Sequence, residues 1–372
     1  MRLKPIESGL YLYLKALKAL DKRNTGLEYL KKEEMRNILV VSSTAIGDTL
    51  LSTPAIRAVR KGCPKAKVTA LFNKDNMELF ENNPNIDGVI PYHGGWKRFG
   101  ATVNELKRYN FDLALIFHGN EPQATPLCYL GGARFIIKLP NNSAFRFLLS
   151  NREPAMDWSS LGHGIAARLR TAALAGCAPQ GERMELFIDK EDGFKVEELL
   201  VGWGVKKGDR LVGLQPGAST LSRQWFPDRF AELGKRLVKK GLKVVLTGSP
   251  AEVRLCEGIA GEIGQGAFVA AGKVRLKSVP PLIKKFGAFV TGDTGPMHIA
   301  ITVGTPVIAL YAVADSKKTG PLYDRGIHRV IQKPRTCDPC VSKKCAYQRC
   351  MEAITVDEVE KAAGEVLAPK PR

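Results

Sequence analysis

The chain has 372 residues, 44% hydrophobic and 25% charged, which is the balance of a globular protein with room for two domains. No apolar run reaches the ~18 residues of a membrane span, and Lys15 and Lys18 interrupt Leu10 to Leu20, so no secretory leader is expected and the location is read as cytoplasmic. The formal net charge of +19 draws anionic partners, and without zinc-finger spacing or an RNP-type aromatic pattern nucleic acid is not expected among them; acidic lipid and phosphorylated sugar remain.

Residues 1–36 precede the first strand. On a helical wheel Leu10, Tyr13, Leu14, Leu17 and Leu20 share one face, with Lys15, Lys18 and Lys22 opposite. Two readings stand side by side: a helix lying on an anionic membrane surface, or one packed on the body of the protein. Short apolar runs then alternate with helical patterns. Strands are expected at 38–42, 67–72, 87–91, 112–117 and 134–138, and helices at 48–61, 75–82, 97–109 and 163–175. Residues 177–183 read as a linker. A second series follows, with strands 211–215, 243–247, 267–270, 288–291 and 306–310 and helices 191–201, 228–240, 251–263, 275–286 and 295–303. Residues 356–367 read as a closing helix. The alternation predicts an α/β fold of two doubly wound parallel sheets. The expected layout is an extension at 1–36, domains at 37–182 and 183–355, and a closing segment at 356–372, with the site in a cleft between the domains.

The turn Ser42 to Gly47 joins a buried strand to a helix that opens at Asp48. It sets one carboxylate at the carboxyl end of a strand, where open α/β sheets bind ligands. The segment is built to bring Asp48, with Gly47 beside it, to a small polar substrate. In the second series, Gln215 to Phe226 is a Gly/Ser/Thr-rich loop. Gly217, Ser219 and Thr220 offer close backbone approach and hydroxyls to a phosphate, and Arg223 offers a planar cation. At Phe289 to Ala300 a strand ends and a helix begins, so Thr294 and Gly295 present unpaired N–H groups to a diphosphate. Asp293 either binds sugar hydroxyls or caps that helix. Gly248 and Glu252 follow another strand; Glu252 either accepts from ribose hydroxyls or favours the helix dipole. Neither G-x-G-x-x-G nor G-x-x-x-x-G-K-[ST] follows a strand, so a dehydrogenase and a P-loop enzyme are unsupported.

His118 and Asn120 end a strand of the first half and are candidates to line a site there; a structural role for His118 is the other reading. Arg146 and Arg152 lie in a loop mixing aromatic, aliphatic and basic residues, read either as a contact for lipid or phosphate or as a flap over the core. Cys337, Cys340, Cys345 and Cys350 have a spacing that would hold structural zinc or an iron–sulfur cluster, or would be free or paired thiols.

Ile46-Gly-Asp48 with Thr53-Pro-Ala55, Gln215-Pro-Gly-Ala218 with Arg223-Gln-Trp225, Thr247-Gly248, and Gly292-Asp-Thr-Gly-Pro-Met-His298 together resemble glycosyltransferase family 9, the ADP-heptose:lipopolysaccharide heptosyltransferases. The resemblance covers about residues 37 to 367. It implies a GT-B fold, an acceptor on the first half, a nucleotide sugar on the second, and an inverting transfer that needs no metal or other cofactor. It also implies Asp48 as general base, Asp293 on the donor heptose, and Thr294 with Gly295 as the diphosphate seat. Arg223 stands where some members carry a lysine. The implied partners are ADP-heptose, an anionic lipid-linked saccharide and the inner face of the cytoplasmic membrane. Two alternatives are a GT-B enzyme using a UDP-sugar (a transferase or epimerase) and a non-catalytic protein that binds anionic surfaces.

Overall fold

The computed structural model describes residues 4–119, 122–338, 340, 345 and 347–368. The chain divides into two compact units, Met1–Glu185 and Leu186–Arg372.

The first unit begins with α1 (Pro5–Leu20) and continues β1 (Asn37–Ser42), α2 (Ile46–Gly62), β2 (Lys67–Asn73), β3 (Gly88–Tyr92), α3 (Phe99–Lys107), β4 (Leu113–His118), α4 (Ala124–Leu130), β5 (Phe135–Lys138) and α5 (Gly164–Ala173). All strand pairs are parallel, in the order β3-β2-β1-β4-β5. Ile38 to Val41 are wholly buried, as a strand covered on both faces requires. The order reverses between β1 and β4, and the carboxyl ends flanking that reversal are where such sheets bind ligands. Pro54 sits inside α2 and lacks the N–H that would bond the Leu50 carbonyl; Thr53 Oγ1 donates to that oxygen instead, at 2.8 Å. Thr49 Oγ1 donates to the Ser42 carbonyl at 3.2 Å, holding the start of α2 against the end of β1.

The second unit runs α6 (Lys190–Gly202), β6 (Leu211–Gln215), α7 (Pro227–Lys239), β7 (Lys243–Leu246), α8 (Val253–Ile263), β8 (Ala267–Val269), α9 (Val279–Ile283), β9 (Phe286–Gly292), α10 (Gly295–Val303), β10 (Val307–Tyr311), α11 (Ser316–Thr319), β11 (Arg329–Gln332), α12 (Arg349–Glu352) and α13 (Val356–Leu367). The sheet is again parallel, in the order β11-β10-β9-β6-β7-β8, and its reversal lies between β9 and β6. Trp225 is buried in this core and donates its indole N–H to the Ile354 carbonyl at 3.0 Å, tying the post-β6 loop to the segment before α13.

Several sequence expectations are corrected. The helix expected at 75–82 is only a 3₁₀ turn, Met77–Phe80. The helix expected at 275–286 is a 3₁₀ turn, Leu276–Ser278, followed by the short α9, because Pro280 and Pro281 lack N–H groups and fit only a helix's first turn. α4 was not foreseen: Ala124 to Tyr129 are all buried, so no polar face marks its period. α1 packs through Leu10, Tyr11, Leu14 and Leu17, while Tyr13 and Leu20, assigned to that same face, are exposed.

Candidate active site

In the first unit, Asp48 lies in the first turn of α2, at the reversal between β1 and β4. Its Oδ2 accepts from Thr44 Oγ1 at 2.9 Å, and Thr44 Oγ1 lies 2.7 Å from His118 Nδ1. Thr44 Oγ1 gives its single hydrogen to Asp48, and a His118 ring protonated at Nδ1 donates to the same hydroxyl. His118 Nε2 then faces Asp48 Oδ1 at 3.5 Å. Asn76 Nδ2 fixes the Thr44 carbonyl at 2.8 Å.

Asp48 Oδ1 also pairs with Arg168 Nη2 at 3.1 Å. Arg168, on α5, is buried and uses every side of its guanidinium. Nε donates to Ser52 Oγ at 3.0 Å and Nη1 to the Gly164 carbonyl at 2.8 Å. Burial pulls the Arg168 guanidinium below its ordinary value, and the charge of Asp48 pushes back. The cation is fixed in protein while the Asp48 carboxylate remains partly open to solvent. Such a group can take a proton from a hydroxyl that hydrogen-bonds to it. Gly47, beside it, is buried in the same turn.

In the second unit, Arg223 ends a 3₁₀ turn after β6, and Asp293 follows β9. Arg223 Nη1 lies 3.3 Å from Asp293 Oδ2. Thr319 Oγ1 and Tyr311 OH donate to Asp293 Oδ1 at 3.2 and 3.4 Å. Burial, then the Asp293 charge, pushes the Tyr311 phenol well above its ordinary value, so it stays a donor. Thr294, not Asp293, caps α10: its side chain accepts from the Met297 N–H. The positive dipole end of α10 lies at Gly295, half-buried beside this turn. A Cβ on Gly292 would lie 2.6 Å from the Arg223 carbonyl, so only glycine lets the end of β9 approach the Arg223 turn this closely.

Gly217 lies against Glu252: an added Cβ would fall 1.7 Å from Glu252 Oε1, the end of a side chain that can turn aside. Glu252 itself closes a capping box on Ser249, accepting from its N–H at 2.7 Å and its hydroxyl at 3.0 Å. Gly248 packs against Cys256 and Ala271. Ser219 is exposed, and Thr220 precedes the Arg223 turn.

Arg146 bonds to Glu153 and to the Arg152 carbonyl, clasping its own loop, while the Arg152 side chain is exposed. Phe145 and Phe147 of this loop are covered by Tyr11 of α1, at 5.9 and 5.2 Å between ring centres. The loop's aromatic residues are therefore turned toward the protein. Asn120 lies outside the described residues. The four clustered cysteines are not assembled: Cys350 is buried and accepts from the Thr336 N–H at 3.3 Å, whereas Cys337 is exposed. Among the described residues no three His, Cys, Asp or Glu side chains are grouped to hold a metal. Among the described residues, too, no helix is long and apolar enough to cross a membrane.

Sequence reasoning missed Arg168, Thr44, Tyr311 and Thr319. Arg168 carried a signal, because it falls on the apolar stripe of α5 three residues after Ile165 and four before Ala172. A cation on a buried stripe demands a carboxylate partner.

The model of "Glycosyltransferase family 9 (heptosyltransferase)" matches residues 101–351. "Lipooligosaccharide heptosyltransferase 2" of Haemophilus influenzae is 32% identical over 355 residues, spanning 89% of this chain and 99% of that protein. The solved ADP-heptose lps heptosyltransferase II of E. coli superposes with a TM-score of 0.73 at 22% identity, covering 89% of this chain and 98% of the other. E. coli heptosyltransferase WaaC, solved with ADP, gives 0.66 at 16% identity, over 89% and 99%. The two parallel sheets are thus those of the GT-B heptosyltransferase structures, as the motifs led one to expect. The chain belongs to glycosyltransferase family 9, the heptosyltransferase family, and is a glycosyltransferase.

Proposed function

We propose that this enzyme moves a heptose from ADP-heptose to a Kdo or heptose of the lipopolysaccharide inner core, with inversion and without a metal. Family membership, the lipooligosaccharide and lipopolysaccharide transferases among its relatives, and a related fold solved with ADP support this reading. The observation that carries it is the opposite presentation of two Asp–Arg pairs, an open acid on the first unit and an open cation on the second.

Asp48 takes the proton of the acceptor hydroxyl as that oxygen bonds to the anomeric carbon. The bond from that carbon to the β-phosphate oxygen breaks, and the electron pair leaves with ADP. Arg223, the hydroxyls of Ser219 and Thr220, and the Thr294–Gly295 helix start stabilise the charge gathering on the diphosphate. Asp293 holds Arg223 and contacts the donor sugar. Gly217, Gly248 and Glu252 border the adenosine. Gly47, His118, Asn120, Arg146 and Arg152 serve the anionic acceptor. The acceptor is lipid-linked, so the enzyme works at the inner face of the cytoplasmic membrane as a peripheral protein.

The test mixes the protein with ADP-heptose and a panel of truncated lipopolysaccharides and reads product masses. The expected result is a gain of one heptose on one member of the panel, insensitive to EDTA, with no transfer from UDP-sugars. Transfer from a UDP-sugar alone would replace this reading.

A further inference from the structure

The inward face of α1 is accounted for. Leu14 is wholly buried, Leu10, Tyr11 and Leu17 pack on the first unit's core, and the helix end is clamped at Asp21. Asp21 accepts from Arg23 Nε at 2.9 Å and from Tyr129 OH at 3.1 Å, and Arg23 holds its carboxyl well below the usual carboxylate range. α1 is therefore a fixed part of the unit.

The outward face is also apolar. Ile6, Gly9, Tyr13, Ala16 and Leu20 recur at spacings of three and four and form one stripe, with Leu12 beside it. All are exposed, Leu12 at 68% and Leu20 at 78%. The stripe runs the whole 16-residue helix, about 24 Å at 1.5 Å per residue. Lys15, on the Leu12 side of the helix with its Nζ 5.2 Å from the Tyr11 ring centre, and Lys22, just past the helix end, are exposed, and among the described residues neither has a carboxylate within ion-pair reach.

We propose that this stripe is a docking surface for an anionic lipid bilayer, with Ile6, Leu12, Tyr13 and Leu20 entering the headgroup boundary and Lys15 and Lys22 meeting lipid phosphates. The purpose rests on the lipid-linked acceptor proposed above; the geometry does not. Charge chooses lipid over a second copy of the chain: the net charge of +19 repels a copy and is drawn to acidic lipid. A fluid acyl boundary also conforms to an apolar stripe whose relief is broken at Gly9 and Ala16. The Phe145–Phe147 loop packs on Tyr11, on the inward face of the same helix, so the stripe is left uncovered by it.

The full-length protein and its Leu12→Glu/Leu20→Glu variant are sedimented with vesicles of phosphatidylethanolamine and phosphatidylglycerol, and with phosphatidylcholine alone. The expected result is binding of the unaltered protein to the anionic vesicles only, weakened at least about tenfold in the variant. Transfer to a vesicle-embedded acceptor falls with it. Transfer to a delipidated core saccharide stays unchanged, which also shows that the variant is folded. Equal vesicle binding by both proteins, or no binding by the unaltered one, overturns the proposal. So does light scattering that shows a dimer converted to monomer by the substitutions. If neither protein transfers heptose to any acceptor, the functional reading fails while the sedimentation still decides the stripe.

Discussion

The two units solve the same local problem in opposite senses. Each sets an Asp–Arg pair beside the point where its strand order reverses. In the first unit the cation is hidden and the acid shown: the Arg168 side chain is 2% exposed and Asp48 28%. In the second the acid is hidden and the cation shown: Asp293 is 8% exposed and Arg223 24%. A pair of one composition thus offers either a proton acceptor or an anion holder, according to which member the fold desolvates.

The largest effect that could break this contrast is on Asp48. Asp48→Asn keeps the shape and removes the proton acceptor, so turnover should fall by about 10²–10⁴. A steady-state assay of ADP release measures it. Next is Arg223→Ala, for which kcat/KM should drop roughly 10²-fold through both donor KM and kcat, with Arg223→Lys recovering part of the loss because an ammonium lacks the planar fork. Equal activity of the alanine variant would make the exposed cation irrelevant.

Arg168→Met probes the hidden partner. Asp48 is left partly solvated rather than buried and alone, so the expected stability loss is about 2 kcal/mol. The acid limb of the kcat/KM profile should move to higher pH, because a nearby cation favours the ionised carboxylate. A purely structural Arg168 would lower the melting temperature without moving that limb.

The smallest effect concerns the second unit's scaffold alone. His328 Nδ1 accepts from the Val307 N–H at 3.1 Å, and burial pulls its pKa down to about 4. The unfolded chain takes up that proton near pH ~6.5 and the folded chain only near ~4, so this contribution is intact above ~6.5 and is lost as pH falls toward ~4. The slope is at most about 1.4 kcal/mol per pH unit. Thermal unfolding at descending pH should show it, and His328→Gln should flatten it.

Much of this was legible in the residue order. The strand-then-helix periodicity set Asp48, Arg223 and Asp293 at strand ends, because a buried parallel strand is a short apolar run and its carboxyl end is where polar residues begin. α10 and α13 fell at the residues expected. What stayed hidden were partners distant in sequence. Arg168 lies 120 residues from Asp48, and no local period encodes that pairing. Tyr311 closes an apolar strand, and only the pairing of β10 with β9 brings it to Asp293. Glu252 offered two readings, and its capping box on Ser249 shows only the local one in place. The outward stripe of α1 was masked by the inward one, since a helix apolar on two faces does not reveal which of them packs.

The most direct test of the division of labour is to titrate ADP, side by side, into Asp48→Asn and Arg223→Ala. The account predicts that the first binds ADP as the unaltered enzyme does while the second binds at least about tenfold more weakly. An Asp48→Asn protein that loses ADP affinity as severely as Arg223→Ala would contradict it.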